Sequence, residues 1–545
     1  MNGSAHPAEA LPLGEPSALA TQEFVRMGDG VRLATDVYLP DGPGRPRPAV
    51  LIRLPYDKSA PFAFMEPISR VLTADGFAVV VQDVRGKARS EGATEAFIHE
   101  VADGHATLDW IVAQPWSDGR VGMFGDSYYG FTQWAAAVSG HPALACMVPR
   151  VTSTDIGGDW MHDGGVFCLY TMVEWAIGTW VDAPLYHADI DWSIRPLDAI
   201  LPAHHGGRRS TSLDRWTGMA PDDPGWRRGI YGAPDPLRGI AIPVLHSPGT
   251  YDVFRRGQIR DWAALRLGPA GGAQRLVLDA TDHFDELHPG DADPEPDFLE
   301  DAAAFDRFLP RYLEPARRFL RAHLLADGDD DTPPVRVRVA HRGWVEAAEW
   351  PPAGCRPRVW CLQPGGGLGA AAVATTALTW QHDPSDPVPD PVTDPWRPLL
   401  ERIDEAPLHR RGDVHVFRSE AVDRDLDLVG GASLLAIATA EADVAALVAT
   451  LLDVHPDGRC ERISEGACRI GRDAQPTAID FGPVAHRLRP GHVLAVAVAA
   501  SMFPRYLPTL RPTGDPWLAE PGPPIAHRVD LGGSAGARLV LSVLD

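Results

Sequence analysis

Across 545 residues no run of about 18 apolar residues occurs, so no membrane-spanning helix is expected. Met1 to Thr21 has neither a basic start nor a long apolar core, which argues against a signal peptide or membrane anchor, and residues 1–21 read as disordered. Cysteine is sparse. The six present (Cys146, Cys168, Cys355, Cys361, Cys460, Cys468) never form a Cys-x-x-Cys pair, so zinc-type spacing is absent. Cys460 and Cys468 could face each other across a turn, but free buried thiols in a cytoplasmic protein are the expectation. Basic residues are outnumbered: 50 Lys and Arg against 73 Asp and Glu leave a net charge of −23, which would repel a phosphate backbone and argues against a nucleic-acid partner. Internal repeats and low-complexity tracts are also missing.

What is present is an ordinary globular composition, 45% hydrophobic and 23% charged, on a chain too long for one core. In the first half, apolar runs alternate with helix-compatible segments. Ala49–Ile52 and Phe77–Val81 are fully apolar, Ile68–Ala74 and Val101–Gln114 suit helices, and Val31, Leu33, Val37 and Leu39 mark an antiparallel strand before them. Such alternation predicts a parallel sheet covered on both faces. It pauses over 151–240, a Trp-, Pro- and acid-rich stretch read as a mostly helical insertion, and resumes at Ile242–His246 and Arg275–Leu278. Phe305–Leu325 reads as a closing helix, and Ala326–Pro334 is a linker by composition. Beyond it the period becomes two, beginning with Val335, Val337 and Val339. Leu434–Ala440, Ala446–Val454, Cys468–Ile470, Val493–Ala499 and Arg538–Val543 are further strands, so 333–545 reads as an antiparallel sandwich. The α/β part is then 22–150 with 241–326, and the cap 151–240.

The chemistry centres on Gly125-Asp126-Ser127-Tyr128-Tyr129-Gly130, which follows the apolar run Val121, Met123, Phe124 and precedes a helical run. Strand, sharp turn, helix is the context that holds a serine on a strained elbow at the edge of a parallel sheet. Gly125 and Gly130 remove side chains where the two backbones must approach. In such sheets an acid and then a histidine follow on later loops, to orient and to supply the base that a serine hydroxyl needs. Asp252, after Ile242–His246, and His283, after Arg275–Leu278, occupy those loops. His246 lies within a strand, and His204-His205 lack an acid at ligand spacing, so that pair reads as solvated. Oxyanion donors are expected from the Tyr128 N–H and from the loop after Val50–Ile52, where the Tyr56 phenol can donate.

Taken in order, Pro55-Tyr56-Asp57-Lys58, Asp83-Val-Arg-Gly86, Gly125–Gly130, Gly249-Thr-Tyr-Asp252 and the histidine after Leu278 resemble the cocaine esterase / X-Pro dipeptidyl-peptidase (CocE/NonD) family of serine hydrolases. Leu452–Gly458, Leu488–His492 and Ser501–Arg505 extend the resemblance to about residues 22–545. It implies an α/β-hydrolase fold with a helical cap insertion and a C-terminal all-β, jelly-roll-like domain. It also implies Ser127 as nucleophile, His283 as base, Asp252 as orienting acid, and Tyr56 with the Tyr128 amide as oxyanion hole. The sequence departs from the family at Thr250, where tryptophan is common, at Asp279-Ala-Thr-Asp-His283, and at Arg85-Gly-Lys-Ala-Arg-Ser90.

Asp159 is a candidate to capture a substrate ammonium, or else a turn acid of the cap. Trp160, Trp175, Trp180 and Phe254 could wall an apolar acyl pocket or form the cap's own core. The substrate expected is a small-molecule ester or amide, with no metal or organic cofactor required. Action on an X-Pro peptide and acyl transfer are alternatives, as is an inactive scaffold that binds through its sandwich. A homo-oligomer is compatible with all of these.

Overall fold

A computed structural model describes residues 13–41, 45–180, 190–204, 207, 209, 211–232, 235–290, 296–325, 330–371 and 373–545, with the backbone alone at 180, 211 and 227–229. The first half builds one twisted sheet from β1 (Thr21–Arg26), β2 (Arg32–Tyr38), β3 (Arg47–Leu54), β4 (Ala78–Asp83), β5 (Ser117–Asp126) and β6 (Leu144–Arg150). After a two-stranded ribbon in the cap, β7 (His162–Asp163) and β8 (Val166–Phe167), the sheet continues through β9 (Val244–His246), β10 (Gln274–Leu278), β11 (Val335–Val339) and β12 (Gly343–Ala347). The spatial order is β1-β2-β4-β3-β5-β6-β9-β10-β11-β12, parallel from β4 to β11 and antiparallel at both ends. This is the α/β-hydrolase arrangement.

Successive residues of the central strands bury to opposite faces, which is why these strands read as continuous apolar runs. Leu51, Val80 and Met123 pack with Leu108 of α2 (Glu100–Val112) and Trp134 of α3 (Ser127–Val138), counting α1 as Met65–Ala74. Val50, Ile52, Val79, Val81 and Phe124 pack on the other face. The cap carries α4 (Leu169–Trp180), α5 (Ile200–His204), α6 (Thr211–Thr217) and α7 (Gly225–Tyr231); beyond it, α8 (Arg255–Arg266) connects β9 to β10. The cap is therefore mostly helical, with the β7–β8 ribbon as its strand element. α9 (Ala302–Leu320) places Phe308, Tyr312 and Phe319 in the second-face core.

One boundary differs from the sequence reading. Val335, Val337 and Val339 do not open the sandwich: β11 pairs in parallel with β10, and β12 folds back on it. Alternation identifies a strand but carries no information about which sheet edge will accept it. Here Arg338 meets Asp279 across that edge at 2.9 Å, and Val335, Val337 and Val339 bury against Ile259 and Trp262 of α8. The all-β domain begins with the strand Cys355–Gln363. Its longest strands, Leu426–Ala440 and Gln475–Leu488, pair antiparallel with a register shift at Ala432/Ser433 that bends the ribbon. All six cysteines are free.

Candidate active site

β5 ends at Asp126 and α3 starts at Ser127, with no loop between them. Ser127 is left-handed at φ 52°, a conformation that costs a non-glycine residue about 1–3 kcal/mol. Packing imposes it. A Cβ on Gly125 would overlap the Tyr129 ring, and one on Gly130 would come within 2.7 Å of the Thr152 side chain on the segment after β6. The Tyr128 N–H lies in the first turn of α3, where backbone donors have no intrahelical partner and the helix dipole favours an anion.

Asp252 is fully buried on the loop after β9. Its Oδ1 accepts His283 Nδ1–H at 2.6 Å, and its Oδ2 accepts the Phe254 N–H at 3.0 Å. Because the acceptor is a carboxylate, the neutral imidazole carries its proton on Nδ1 and presents Nε2 as a base. His283 is held in turn from the C-terminal half: its N–H donates to the Trp396 carbonyl at 3.2 Å, and the Trp396 ring lies 4.7 Å from the imidazole. Ser127, His283 and Tyr56 line one cavity of about 90 Å³. No hydrogen bond among the described residues joins Ser127 to His283.

The Tyr56 oxygen accepts the Trp175 indole N–H at 3.2 Å, which orients the phenol over the cavity. Tyr128 is anchored by its side chain: its hydroxyl donates to Glu100 at 2.9 Å and accepts the Phe97 N–H at 2.8 Å, and Glu100 pairs with the buried Arg53 at 2.8 Å. Beneath the serine, Asp126 is bonded by Arg150 at 3.0 Å and by the Tyr312 hydroxyl at 2.9 Å. Burial raises the Asp126 carboxyl above the ordinary carboxylate range, against the opposing pull of Arg150.

The pocket residues named from the sequence separate into different places. Trp175 lines the cavity. Trp160 is buried behind it, edge-on to Trp175 at 5.1 Å and beside Phe254 and Trp396, as core rather than lining. Phe254 backs the imidazole at 5.8 Å without lining the cavity. The Trp180 side chain lies outside the described residues. Asp159 is not among the residues lining the cavity and is bonded within the fold, as the turn-acid reading expects: Arg260 takes its carboxylate with bonds of 3.0 and 2.6 Å, and the Ser153 hydroxyl also donates to it. His246 is buried in β9, and burial pushes it down to about 3, so it stays neutral. His204 bonds the Ile200 carbonyl, and His205 lies outside the described residues.

Residues not singled out from the sequence complete the cavity. Phe64, Phe298 and Phe308 form its aromatic wall, from the start of α1, the approach to α9, and α9 itself. Glu174 contributes a buried carboxylate, whose Oε2 accepts the Trp396 indole N–H at 2.9 Å. A signal for Glu174 existed: it is the one charged residue in the otherwise apolar and polar-neutral helix Leu169–Trp180. None existed for Trp396, which is brought in by tertiary folding alone.

Residues 29–285 match the model of X-Pro dipeptidyl-peptidase (S15 family), and residues 327–534 match that of the X-Pro dipeptidyl-peptidase C-terminal non-catalytic domain. Cocaine esterase of Rhodococcus sp. (strain MB1 Bresler) is 30% identical, over 90% of this chain and 92% of the relative. Among solved structures, an aminopeptidase from the marine sediment archaeon Thaumarchaeota archaeon superposes with a TM-score of 0.80 at 21% identity, covering 99% of both chains. An α-amino acid ester hydrolase superposes with a TM-score of 0.80 at 23% identity, covering 98% of both. These two share the fold. With a serine elbow on such a sheet and a relative this similar along nearly its whole length, the chain belongs to the cocaine esterase / X-Pro dipeptidyl-peptidase family and is a serine hydrolase.

Proposed function

We propose that the protein hydrolyses carboxylic esters by double displacement, with Ser127, His283 and Asp252 as a triad. His283 Nε2 takes the Ser127 proton as the oxygen attacks the ester carbonyl, and Asp252 stabilises the imidazolium that forms. The oxyanion accepts the Tyr128 N–H and the Tyr56 O–H. The leaving alcohol takes the proton from His283, and water, activated by the same imidazole, resolves the acyl-enzyme. The observation carrying this reading is the 2.6 Å Asp252–His283 bond at the edge of the cavity that Ser127 and Tyr56 also line. Catalytic hydrogen bonds to the nucleophile often tighten only when substrate arrives, so Ser127 and His283 need not be bonded beforehand.

The aromatic wall favours an apolar acyl group, and the small volume favours a compact one. Glu174 supports a second reading, a substrate with a cationic amine near the scissile bond, because it brings a buried carboxylate to the wall of the cavity that Ser127 and His283 line. A fluorophosphonate probe tests the triad: wild type is labelled and Ser127→Ala is not. Labelling that persists in Ser127→Ala would overturn Ser127 as the nucleophile, and labelling absent from wild type would overturn the triad and favour the inactive-scaffold alternative. A panel of p-nitrophenyl esters, amino-acid esters and X-Pro anilides then ranks the substrates. If Glu174 reads an amine, Glu174→Gln lowers kcat/KM for amino-acid esters by about ten-fold more than for neutral esters, one missing charge contact being worth about 1.4 kcal/mol.

A further inference from the structure

Thr250 and Tyr251, from the loop that carries Asp252, and Arg255, at the start of α8, line a second cleft of about 600 Å³ between the β10–β11 edge and the all-β domain. Four side chains from four distant stretches meet at its wall: His288, His341 and Glu461 line the cleft, and the fully buried His486 packs behind them. One donor atom of each lies within 4.8 Å of the other three. The three imidazoles stand nearly perpendicular to one another, with centroids 4.9, 5.7 and 5.0 Å apart.

Backbone register creates this meeting. His288 closes the loop that bears His283, its N–H bonding the Ala280 carbonyl at 2.8 Å. Ala340, just beyond β11, is bonded on both sides to the strand Gln475–Leu488: its N–H to the Ala485 carbonyl at 2.9 Å, its carbonyl to the Arg487 N–H at 3.0 Å. That ladder sets His341 beside His486. Each ligand-type group is also steadied from behind. Asp453, fully buried, holds His486 Nε2 at 3.1 Å, leaving Nδ1 with only the Tyr251 hydroxyl at 3.5 Å. Glu461 Oε2 is held by His455 and Arg459, both at 3.0 Å, while Oε1 faces His288 at 2.7 Å and His341 at 3.5 Å. A carboxylate behind a histidine is the usual arrangement for fixing the tautomer of a metal ligand.

His341 points to a ligand independently. Its side chain is 8% exposed, yet neither ring nitrogen makes a hydrogen bond. Buried polar groups are normally satisfied, and a ring whose Nε2 has only the loose 3.5 Å approach of Glu461 Oε1 leaves room for an ion or water. The ring packs on Gly290, where a Cβ would overlap it.

We propose that His288, His341, His486 and Glu461 bind a divalent transition-metal ion of the zinc type, which ties the loop bearing His283 to the all-β domain. Three imidazoles and one carboxylate form a donor set suited to Zn²⁺ or Co²⁺ and unlike the all-oxygen sets of Ca²⁺ and Mg²⁺. Bonds of about 2.0–2.1 Å in a tetrahedron place donors about 3.4 Å apart, and the two separations from Glu461 Oε1 straddle that value. The protons balance. His288 Nδ1 now accepts the Gly290 N–H at 3.0 Å, so its proton sits on Nε2 and is donated to Glu461. On binding, that proton moves to Nδ1, Nε2 takes the metal, and the Gly290 amide turns away.

The test uses the full chain, stripped with chelator and dialysed, then titrated with Zn²⁺ by calorimetry and Co²⁺ by visible absorption. One equivalent per chain is expected, with Kd about micromolar or tighter, tetrahedral Co²⁺ bands and a raised Tm. His341→Ala and Glu461→Gln should each weaken binding by about ten-fold or more. His105→Ala, in the half-exposed His105–Asp109–His141 group, should not. Failure of the wild type to bind one equivalent at about 10 µM Zn²⁺ overturns the proposal whatever the variants do. So does equal affinity in His341→Ala and Glu461→Gln, which would place the ion elsewhere.

Discussion

Asp252 and Asp453 are both fully buried, and each holds a histidine through a carboxylate oxygen, yet the two pairs stand in different surroundings. Asp252 holds His283 alone, and the imidazole's far nitrogen belongs to a small aromatic cavity shared with a serine on a strained elbow. Asp453 holds two imidazoles, His486 and His492, and the far side of His486 meets two more histidines and a glutamate. The aspartate does the same work in both places: it fixes which nitrogen carries the proton. What the opposite nitrogen meets separates the two: in the proposed triad it is a hydroxyl to deprotonate, and in the proposed metal site a set of electron-pair donors.

The largest expected effect breaks that symmetry directly. Asp252→Asn should keep the fold and lower kcat by about ten-thousand-fold, because the imidazole loses its enforced tautomer. Asp453→Asn should lower Tm and cost less than about ten-fold in kcat, since it loosens a buried network away from the serine. Steady-state kinetics and thermal melts on both variants check this, and equal losses of kcat would erase the distinction. Next in size, Tyr56→Phe should lower kcat by about a hundred- to thousand-fold with KM little changed, the usual loss for one oxyanion donor. An unchanged kcat would leave the Tyr128 amide without this partner.

The smallest effect concerns a buried aspartate bonded to no imidazole. Asp261 accepts the Thr154 N–H and hydroxyl, each at 2.8 Å, and burial pushes its carboxyl up to about 7, with Arg260 opposing the rise. Its unfolded value is about 3.9, so between those limits the folded chain keeps a proton that the unfolded chain releases. Its contribution to stability is therefore complete below pH 4 and lost as pH rises toward 7. Melts at pH 5 and pH 8 should show a smaller drop in Tm for Asp261→Asn than for wild type. An identical drop would mean that Asp261 does not titrate in this range.

The elements most legible in the sequence were those whose signal is local. The apolar runs at Ala49–Ile52 and Phe77–Val81 announced buried parallel strands, and Gly125–Gly130 announced the elbow, because strand burial and turn geometry are set by adjacent residues. Asp252 and His283 could be named because chain order places an acid loop and then a histidine loop after the elbow. The cavity wall was not legible. Phe64, Phe298 and Phe308 come from separate elements, and nothing in their own neighbourhoods distinguishes them from ordinary core phenylalanines. The choice between the two readings of Asp159 was not legible for the same reason: its partner, Arg260, lies 101 positions away on α8.

By itself, then, the sequence determined the alternation of strands and helices, the strained serine turn and the candidate triad loops, all consequences of short-range sterics and burial pattern. Only tertiary structure decided that β11 joins the hydrolase sheet, that Trp396 from the second half braces His283, that Glu174 enters the cavity, and that His288, His341, Glu461 and His486 converge. Those outcomes depend on which sheet edge a strand finds and how two domains dock. Contacts between residues a hundred or more positions apart leave no periodicity to read.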